Sequence, residues 1–151
     1  MQTRRKTLQQ SALVAGLLAG TGLFPHMAWA RNQAAFSSKS LADVVKALGA
    51  SAPAESKDVT ITGPDIAENG AVVPLGAATS LAGVKQLLIL VEKNPDALVA
   101  VFNLGEGVES NIATRAKMGQ SSDVYAVAIT QDGKALYAKK EVKVTLGGCG
   151  G

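Results

Sequence analysis

The chain is 151 residues long, 47% of its residues are hydrophobic and 18% are charged, and its formal net charge is +3. This length suits one domain, and a single cysteine and a single histidine are too few for a Cys/His zinc site or for haem attachment through C-x-x-C-H. No acidic pair has a recognisable catalytic spacing and no EF-hand loop is present, so the sequence indicates no catalytic residue and no metal site of its own.

The first thirty residues have the organisation of an export signal. A positive segment at residues 3–6 precedes an uncharged, mostly apolar stretch at residues 11–24, and Ala-Trp-Ala at residues 28–30 is a small-x-small cleavage site. The adjacent arginines favour the twin-arginine route. Thr7 stands where that route's pattern usually has phenylalanine, which leaves the Sec route open. We predict an export signal over residues 1–30.

Cleavage after residue 30 changes the composition of the remaining chain. Three of the 15 basic residues, Arg4, Arg5 and Lys6, leave with the signal, so that 12 remain against 12 acidic residues. A chain without net charge has no global positive field to hold nucleic acid or an anionic membrane. The sole histidine, His26, also leaves, which excludes Ser-His-Asp and Cys-His catalytic sites.

One short helix is predicted at the start of the remaining chain. Ser40 is a suitable N-cap, Asp43 follows it three residues later as in a capping box, and Gly49 is a suitable end. Between them, the apolar residues recur at helical spacing. We expect a packing helix near residues 40–49.

The rest of residues 31–146 consists of short β-type runs separated by turn residues. The predicted strands cover residues 59–62, 71–75, 87–91, 98–104, 112–118, 124–130 and 135–146. The unbroken apolar run at 87–91 indicates a strand buried on both faces, and Asp132-Gly133 indicates a two-residue hairpin turn. About seven strands at this spacing predict an all-β fold, an immunoglobulin-like antiparallel β-sandwich with the helix at its N-terminal side.

The last five residues form a predicted flexible arm. Gly147, Gly148, Gly150 and Gly151 surround Cys149, and glycine loses more backbone entropy on ordering than any other residue. Fully extended, five residues reach about 17 Å. Because an exposed single thiol is a liability in an oxidising compartment, its presence in an exported chain indicates a use.

Four segments together with the export signal resemble the SoxY family, the sulfur-carrier subunit of the periplasmic thiosulfate-oxidising (Sox) system. The segments are GGCGG at 147–151, EVKVT at 141–145, IAENGAVVP at 66–74 and TRAKM at 114–118. The resemblance implies a periplasmic carrier rather than an enzyme, with Cys149 as the covalent attachment site and the glycines providing the flexibility of the arm. The carrier would hold a sulfur or thiosulfonate adduct and no cofactor of its own.

The same resemblance implies the partners. A SoxZ-like subunit would form a heterodimer with the chain, a haem-containing SoxAX-like protein would load the cysteine, a SoxB-like hydrolase would release sulfate, and in some systems a SoxCD-like dehydrogenase would oxidise the remaining sulfur. Haem and metals would belong to these partners. No membrane span is expected after cleavage.

Two questions stay open at the level of sequence. The first concerns the role of five basic residues, Arg115, Lys117, Lys139, Lys140 and Lys143. They either contact an anionic adduct or the acidic surface of a partner. Alternatively, they lie on solvated strand faces, where their charge protects an exposed sheet edge from pairing with another chain. The second is function, for which the alternative is an exported sandwich-type module linked to a partner by a disulfide through Cys149. A ubiquitin-like carrier would need ATP for adenylation, which an exported chain would lack.

Overall fold

The computed structural model describes residues 32–145. The predicted export signal at 1–30 and the predicted arm at 147–151 lie outside the described residues. Two helices come first, α1 (Gln33–Phe36) and α2 (Leu41–Ala47). Ser40 caps α2 as predicted, since its Oγ accepts a hydrogen bond of 3.2 Å from the backbone N–H of Asp43. The short α1 was not predicted.

Nine strands follow within the described part of the chain. They are β1 (Ala54–Glu55), β2 (Val59–Thr62), β3 (Ile66–Ala67), β4 (Val73–Thr79), β5 (Val84–Val91), β6 (Leu98–Asn103), β7 (Asn111–Ala116), β8 (Ser122–Thr130) and β9 (Ala135–Val144). The seven longer strands correspond to the seven predicted ones. The two-residue strands β1 and β3 were not predicted, because each is too short to show a period of two.

The strands form two sheets that pack as a sandwich. One sheet has the order β1-β9-β8-β5-β6, with β3 also pairing with β9, and the other has the order β2-β4-β7. All pairs between the seven longer strands are antiparallel, which confirms the predicted fold class. The two short strands depart from it, since β1 and β3 both pair with β9 in parallel.

The larger sheet is covered on both faces. Leu87 and Ile89 of β5 belong to the core between the two sheets, whereas Leu88 and Leu90 belong to a second core beneath the helices. All four side chains are at most 1% exposed. The apolar run in β5 is therefore buried on both faces, as predicted. None of the helices within residues 32–145 is long and apolar enough to cross a membrane.

Two details of the predicted strands are corrected. The β8–β9 hairpin has a three-residue loop rather than a two-residue turn: Thr130 N donates to Lys134 O over 3.0 Å, and Gly133 adopts a φ of 82°. A turn followed by a left-handed glycine is the usual three-residue hairpin. Strand β4 begins at Val73 rather than at residue 71, because the N–H groups of Ala71 and Val72 both bond to Asn69 in a turn.

Candidate functional site

The structure describes the point from which the predicted arm continues. Cys149 and the four glycines around it lie outside the described residues, and Thr145, the last described residue, follows directly on β9. We use "arm base" for the surroundings of this point, namely residues 65–72, Met118, Ser121 and residues 143–145. The arm base is the part of the candidate site that lies within residues 32–145.

The end of β9 is held by hydrogen bonds on both of its edges. On one edge, Lys143 N donates to Asp65 O over 3.0 Å and Thr145 N donates to Ala67 O over 3.1 Å. On the other edge, Val144 N donates to Ser121 Oγ over 2.9 Å. Three consecutive backbone N–H groups are thus satisfied. The chain beyond Thr145 therefore starts from a fixed point on the sandwich.

A tight turn at residues 69–72 closes the arm base. The Asn69 side chain accepts a hydrogen bond of 2.9 Å from Ala71 N, which is the turn chemistry expected of asparagine. Gly70 O accepts a hydrogen bond of 2.7 Å from Met118 N. A Cβ added at Gly70 would overlap Met118 O and lie 2.8 Å from Val144 Cγ1. Glycine is required here by close approach of three chain segments.

These contacts bring together three of the segments that carry the family resemblance. The segment at 66–74 supplies β3 and the turn, the segment at 114–118 supplies the end of β7 and Met118, and the segment at 141–145 supplies the end of β9. The first residue of these segments, residue 66, and the last, residue 145, are 79 positions apart in the sequence. Their meeting point is the base of the predicted arm.

The five basic residues proposed from the sequence do not form one patch. Along β9, Lys139 and Lys143 share the face that carries Tyr137 of the helix-side core, whereas Lys140 shares the opposite face with Val142. Arg115 and Lys117 alternate along the chain with Ala116 and Met118, which face the core between the sheets. Both cations are therefore exposed on the outer side of the smaller sheet.

Two of these lysines have acidic partners. Lys139 Nζ lies 3.4 Å from Asp123 Oδ2, and this hydrogen bond raises the pKa of Lys139 above its ordinary value. Lys140 Nζ lies 2.9 Å from Asp65 Oδ1 and donates to Gly63 O over 2.7 Å. The hydrogen bond that Lys140 donates to the Asp65 carboxylate lowers the pKa of Asp65 below its ordinary value. Within residues 32–145 the remaining three cations have no ion pair.

Two exposed aliphatic side chains at the arm base were missed by the sequence reasoning. Ile66 is 58% exposed and Val72 is 51% exposed. Both belong to the segment 66–74, but no periodicity in that segment distinguishes them from buried neighbours such as Ala67 and Val73. Ile66 is placed by its parallel pairing with Lys143 of β9, and Val72 by the turn at residues 69–72.

No metal centre is evident in the described region, since residues 32–145 contain no group of three or more His, Cys, Asp or Glu side chains that could hold an ion. A shallow groove of about 330 Å³ on the smaller sheet has no charged residue in its lining, which is formed by Thr62, Gly63, Pro64, Pro74, Leu75, Gly76, Ala113 and Thr114. The groove offers no group for proton transfer.

Comparison with known proteins agrees with the resemblance found in the sequence. The family model "Sulfur oxidation protein SoxY" matches residues 44–149, a range that includes Cys149. The solved structure of the sulfur carrier protein SoxY from Chlorobium limicola f thiosulfatophilum is 34% identical, with a TM-score of 0.57, over 62% of this chain and 84% of that chain. No curated protein sequence matches significantly.

More distant structures share the fold alone. A variant of the superoxide reductase (neelaredoxin) from Ignicoccus hospitalis is 15% identical with a TM-score of 0.51, over 58% of this chain and 79% of that chain. At such identity only the sandwich architecture is shared. The family match and the 34% identical structure carry the assignment. The chain therefore belongs to the SoxY family of sulfur oxidation proteins.

Proposed function

We propose that the chain is a periplasmic sulfur carrier that holds thiosulfate-derived sulfur covalently on Cys149 and presents it to the enzymes of the Sox system. The observation that carries the proposal is the anchored end of β9, with the sole cysteine of the chain four residues beyond Thr145 among glycines. A fixed origin and a short glycine-rich reach suit delivery of a thiol into a cleft. The family match through residue 149 supports the same role.

The proposed chemistry starts from the Cys149 thiolate, which is the reactive form of cysteine. The thiolate and the sulfane sulfur of thiosulfate form an S–S bond, and the two electrons released pass to a haem-containing SoxAX-like partner. Water then attacks the terminal sulfonate in a SoxB-like hydrolase, giving sulfate, two protons and a persulfide anion that stays on the cysteine. In some systems a SoxCD-like dehydrogenase oxidises that remaining sulfur. The carrier contributes attachment and positioning, and the partners contribute catalysis.

The proposal includes export and a heterodimer. Residues 1–30 would direct the chain to the periplasm, by the twin-arginine route, and a SoxZ-like subunit would accompany it. The carrier would have no haem or metal of its own. Arg115, Lys117 and Lys143 would be available to anionic groups, while Lys139 and Lys140 are engaged with Asp123 and Asp65.

The test is mass spectrometry of the purified heterodimer before and after incubation with thiosulfate and periplasmic extract. Tryptic cleavage after Lys143 isolates residues 144–151 as one peptide. We expect a reductant-reversible sulfur or sulfonate adduct on this peptide and none on a Cys149→Ser variant.

An unmodified thiol in an extract that is oxidising thiosulfate would disprove the carrier. A permanent intermolecular disulfide through Cys149, seen on non-reducing electrophoresis without any sulfur adduct, would instead favour the structural module. A disulfide-linked dimer accompanied by the adduct would leave the carrier in place.

A further inference from the structure

The hydroxyl of Ser121 extends the hydrogen-bonded edge of β9 beyond the point where its pairing with β8 ends. The last residue pair of the β8–β9 ladder is Ser122 with Val142. In an antiparallel strand the N–H groups of alternate residues point to the same neighbour, so the next N–H on this edge is that of Val144. It donates to Ser121 Oγ over 2.9 Å. A side chain thus adds one hydrogen bond to an edge that the backbone of β8 no longer pairs.

The loop that carries Ser121 is anchored on both sides. Before it, Met118 is fully buried, and its N–H donates to Gly70 O over 2.7 Å. After it, β8 begins at Ser122, which is 2% exposed. The Ser121 hydroxyl therefore meets Val144 N from a fixed position.

The opposite edge of β9 is held only by a short and exposed segment. Lys143 N and Thr145 N donate to carbonyl groups in and beside β3, a strand of two residues. Ile66 of this strand is 58% exposed. Hydrogen bonds that few buried contacts support open more readily than those of a packed strand. Apart from the packing of Val144 against the core, the Ser121 bond is therefore what ties the end of β9 to the body of the sandwich.

The last fixed residue of β9 sets the free length of the predicted arm. With Thr145 held, four residues lead to Cys149, and they reach about 14 Å when extended. If residues 143–145 separate from the sandwich, the last fixed residue is Val142, and the seven residues that follow it reach about 24 Å. The effective concentration of a tethered group falls roughly as the −3/2 power of the tether length, so the longer arm dilutes the thiol about twofold.

We propose that Ser121 is a positioning residue, whose hydroxyl keeps the carrier arm short by holding Val144. The consequence for sulfur transfer rests on the proposed carrier function, whereas the hydrogen bond itself does not. A fixed origin keeps the thiol within a defined distance of the surface that a partner enzyme contacts. Removal of the hydroxyl lengthens the arm without any change to Cys149 or to the glycines around it.

The first test is trypsin cleavage of the native heterodimer after Lys143, which releases residues 144–151 and requires the end of β9 to open. Ser121→Ala removes the acceptor of Val144 N, and we expect cleavage after Lys143 to become about five- to tenfold faster. Ser121→Thr keeps a hydroxyl and is expected to cleave within about twofold of the wild-type rate. Cleavage after Lys134, just before β9 begins, is the internal reference and is expected to be unchanged.

Ser56→Ala is the matched control at the other end of β9. Ser56 is half-buried like Ser121, and its Oγ likewise accepts a hydrogen bond from a backbone N–H, that of Asp58 over 3.2 Å. This variant is expected to leave cleavage after Lys143 unchanged. Equal cleavage after Lys143 in Ser121→Ala and the wild type would overturn the inference. Equally accelerated cleavage after Lys143 and Lys134 would also overturn it, because that result indicates a general loss of stability.

The functional readout is thiosulfate-dependent haem reduction in a constant amount of periplasmic extract, measured against the concentration of the carrier heterodimer. A longer arm dilutes the thiol and leaves the surfaces of the sandwich unchanged, so we expect Ser121→Ala to lower the maximum rate about twofold at an unchanged KM. A higher KM at the wild-type maximum rate would contradict the positioning role. If the wild-type Cys149 never takes up sulfur, the carrier function fails, while the cleavage rates still decide the role of Ser121.

Discussion

Replacement of Gly70 by alanine tests the packing of the arm base most directly. The new Cβ would overlap the backbone oxygen of Met118 and lie 2.8 Å from Val144 Cγ1, where ordinary contacts between carbon atoms begin near 3.5 Å. The Met118 oxygen is part of the backbone and cannot rotate aside as a side chain could. The turn and the segment that contains Met118 must therefore separate.

The expected cost can be worked from these contacts. An extra methyl group in a packed site costs about 1–3 kcal/mol, and separation of the two segments also weakens the 2.7 Å hydrogen bond from Met118 N to Gly70 O, which contributes about 1 kcal/mol. We expect Gly70→Ala to lower the free energy of unfolding by about 2–4 kcal/mol. Urea denaturation followed by far-UV circular dichroism measures this change.

Gly119→Ala is the matched control in the neighbouring loop. A Cβ at Gly119 would meet no atom within 4 Å, and its backbone is not in the left-handed region. Alanine there is expected to be neutral or to stabilise the chain by up to about 1 kcal/mol, since it restricts the unfolded state. Close packing around Gly70 is refuted if Gly70→Ala unfolds at the same urea concentration as the wild type, or if both variants lose the same stability.

Two further predictions concern the core and the pH dependence of stability. Leu88→Ala removes a fully buried side chain from the core beneath the helices. In the same denaturation assay we expect it to lower the free energy of unfolding by about 2–5 kcal/mol. A loss below about 1 kcal/mol would contradict the burial of β5 on both faces. The pKa of Asp132 is lowered from 3.8 to about 2, mainly by a hydrogen bond from Thr130 and to a smaller extent by one from Lys134. Because the folded pKa is lowered, this carboxylate stabilises the fold above its unfolded pKa, and the stabilisation is lost as pH falls from about 4 to about 2. Urea midpoints measured over that range are expected to fall more steeply in the wild type than in Asp132→Asn, and parallel curves would count against the assignment.

Local patterns were sufficient to predict most of the elements. The cap at Ser40, the apolar run of β5 and the alternation in β7 and β9 each depend on residues close together in the chain, and the structure confirms them. The predicted bounds of a strand are wrong where its residues have little preference for strand conformation. The second half of β4, residues 76–79, is glycine, alanine and threonine, a composition with little strand preference, so its extent depends on pairing with β2 and β7.

The hypotheses on chemistry and compartment could be drawn from the order of residues alone, because a signal-like pattern and a glycine-flanked cysteine are local features that need no fold to be recognised. The arm base could not, because it forms only when β3, the turn at 69–72, Met118 and the end of β9 meet through long-range pairing. The faces of the five cations and the exposure of Ile66 likewise depend on pairing between strands that are far apart in the sequence or on their partners across the sheet. A parallel strand of two residues, such as β1 or β3, is too short to show the alternation of buried and exposed side chains by which strands are predicted. These are properties of tertiary contacts.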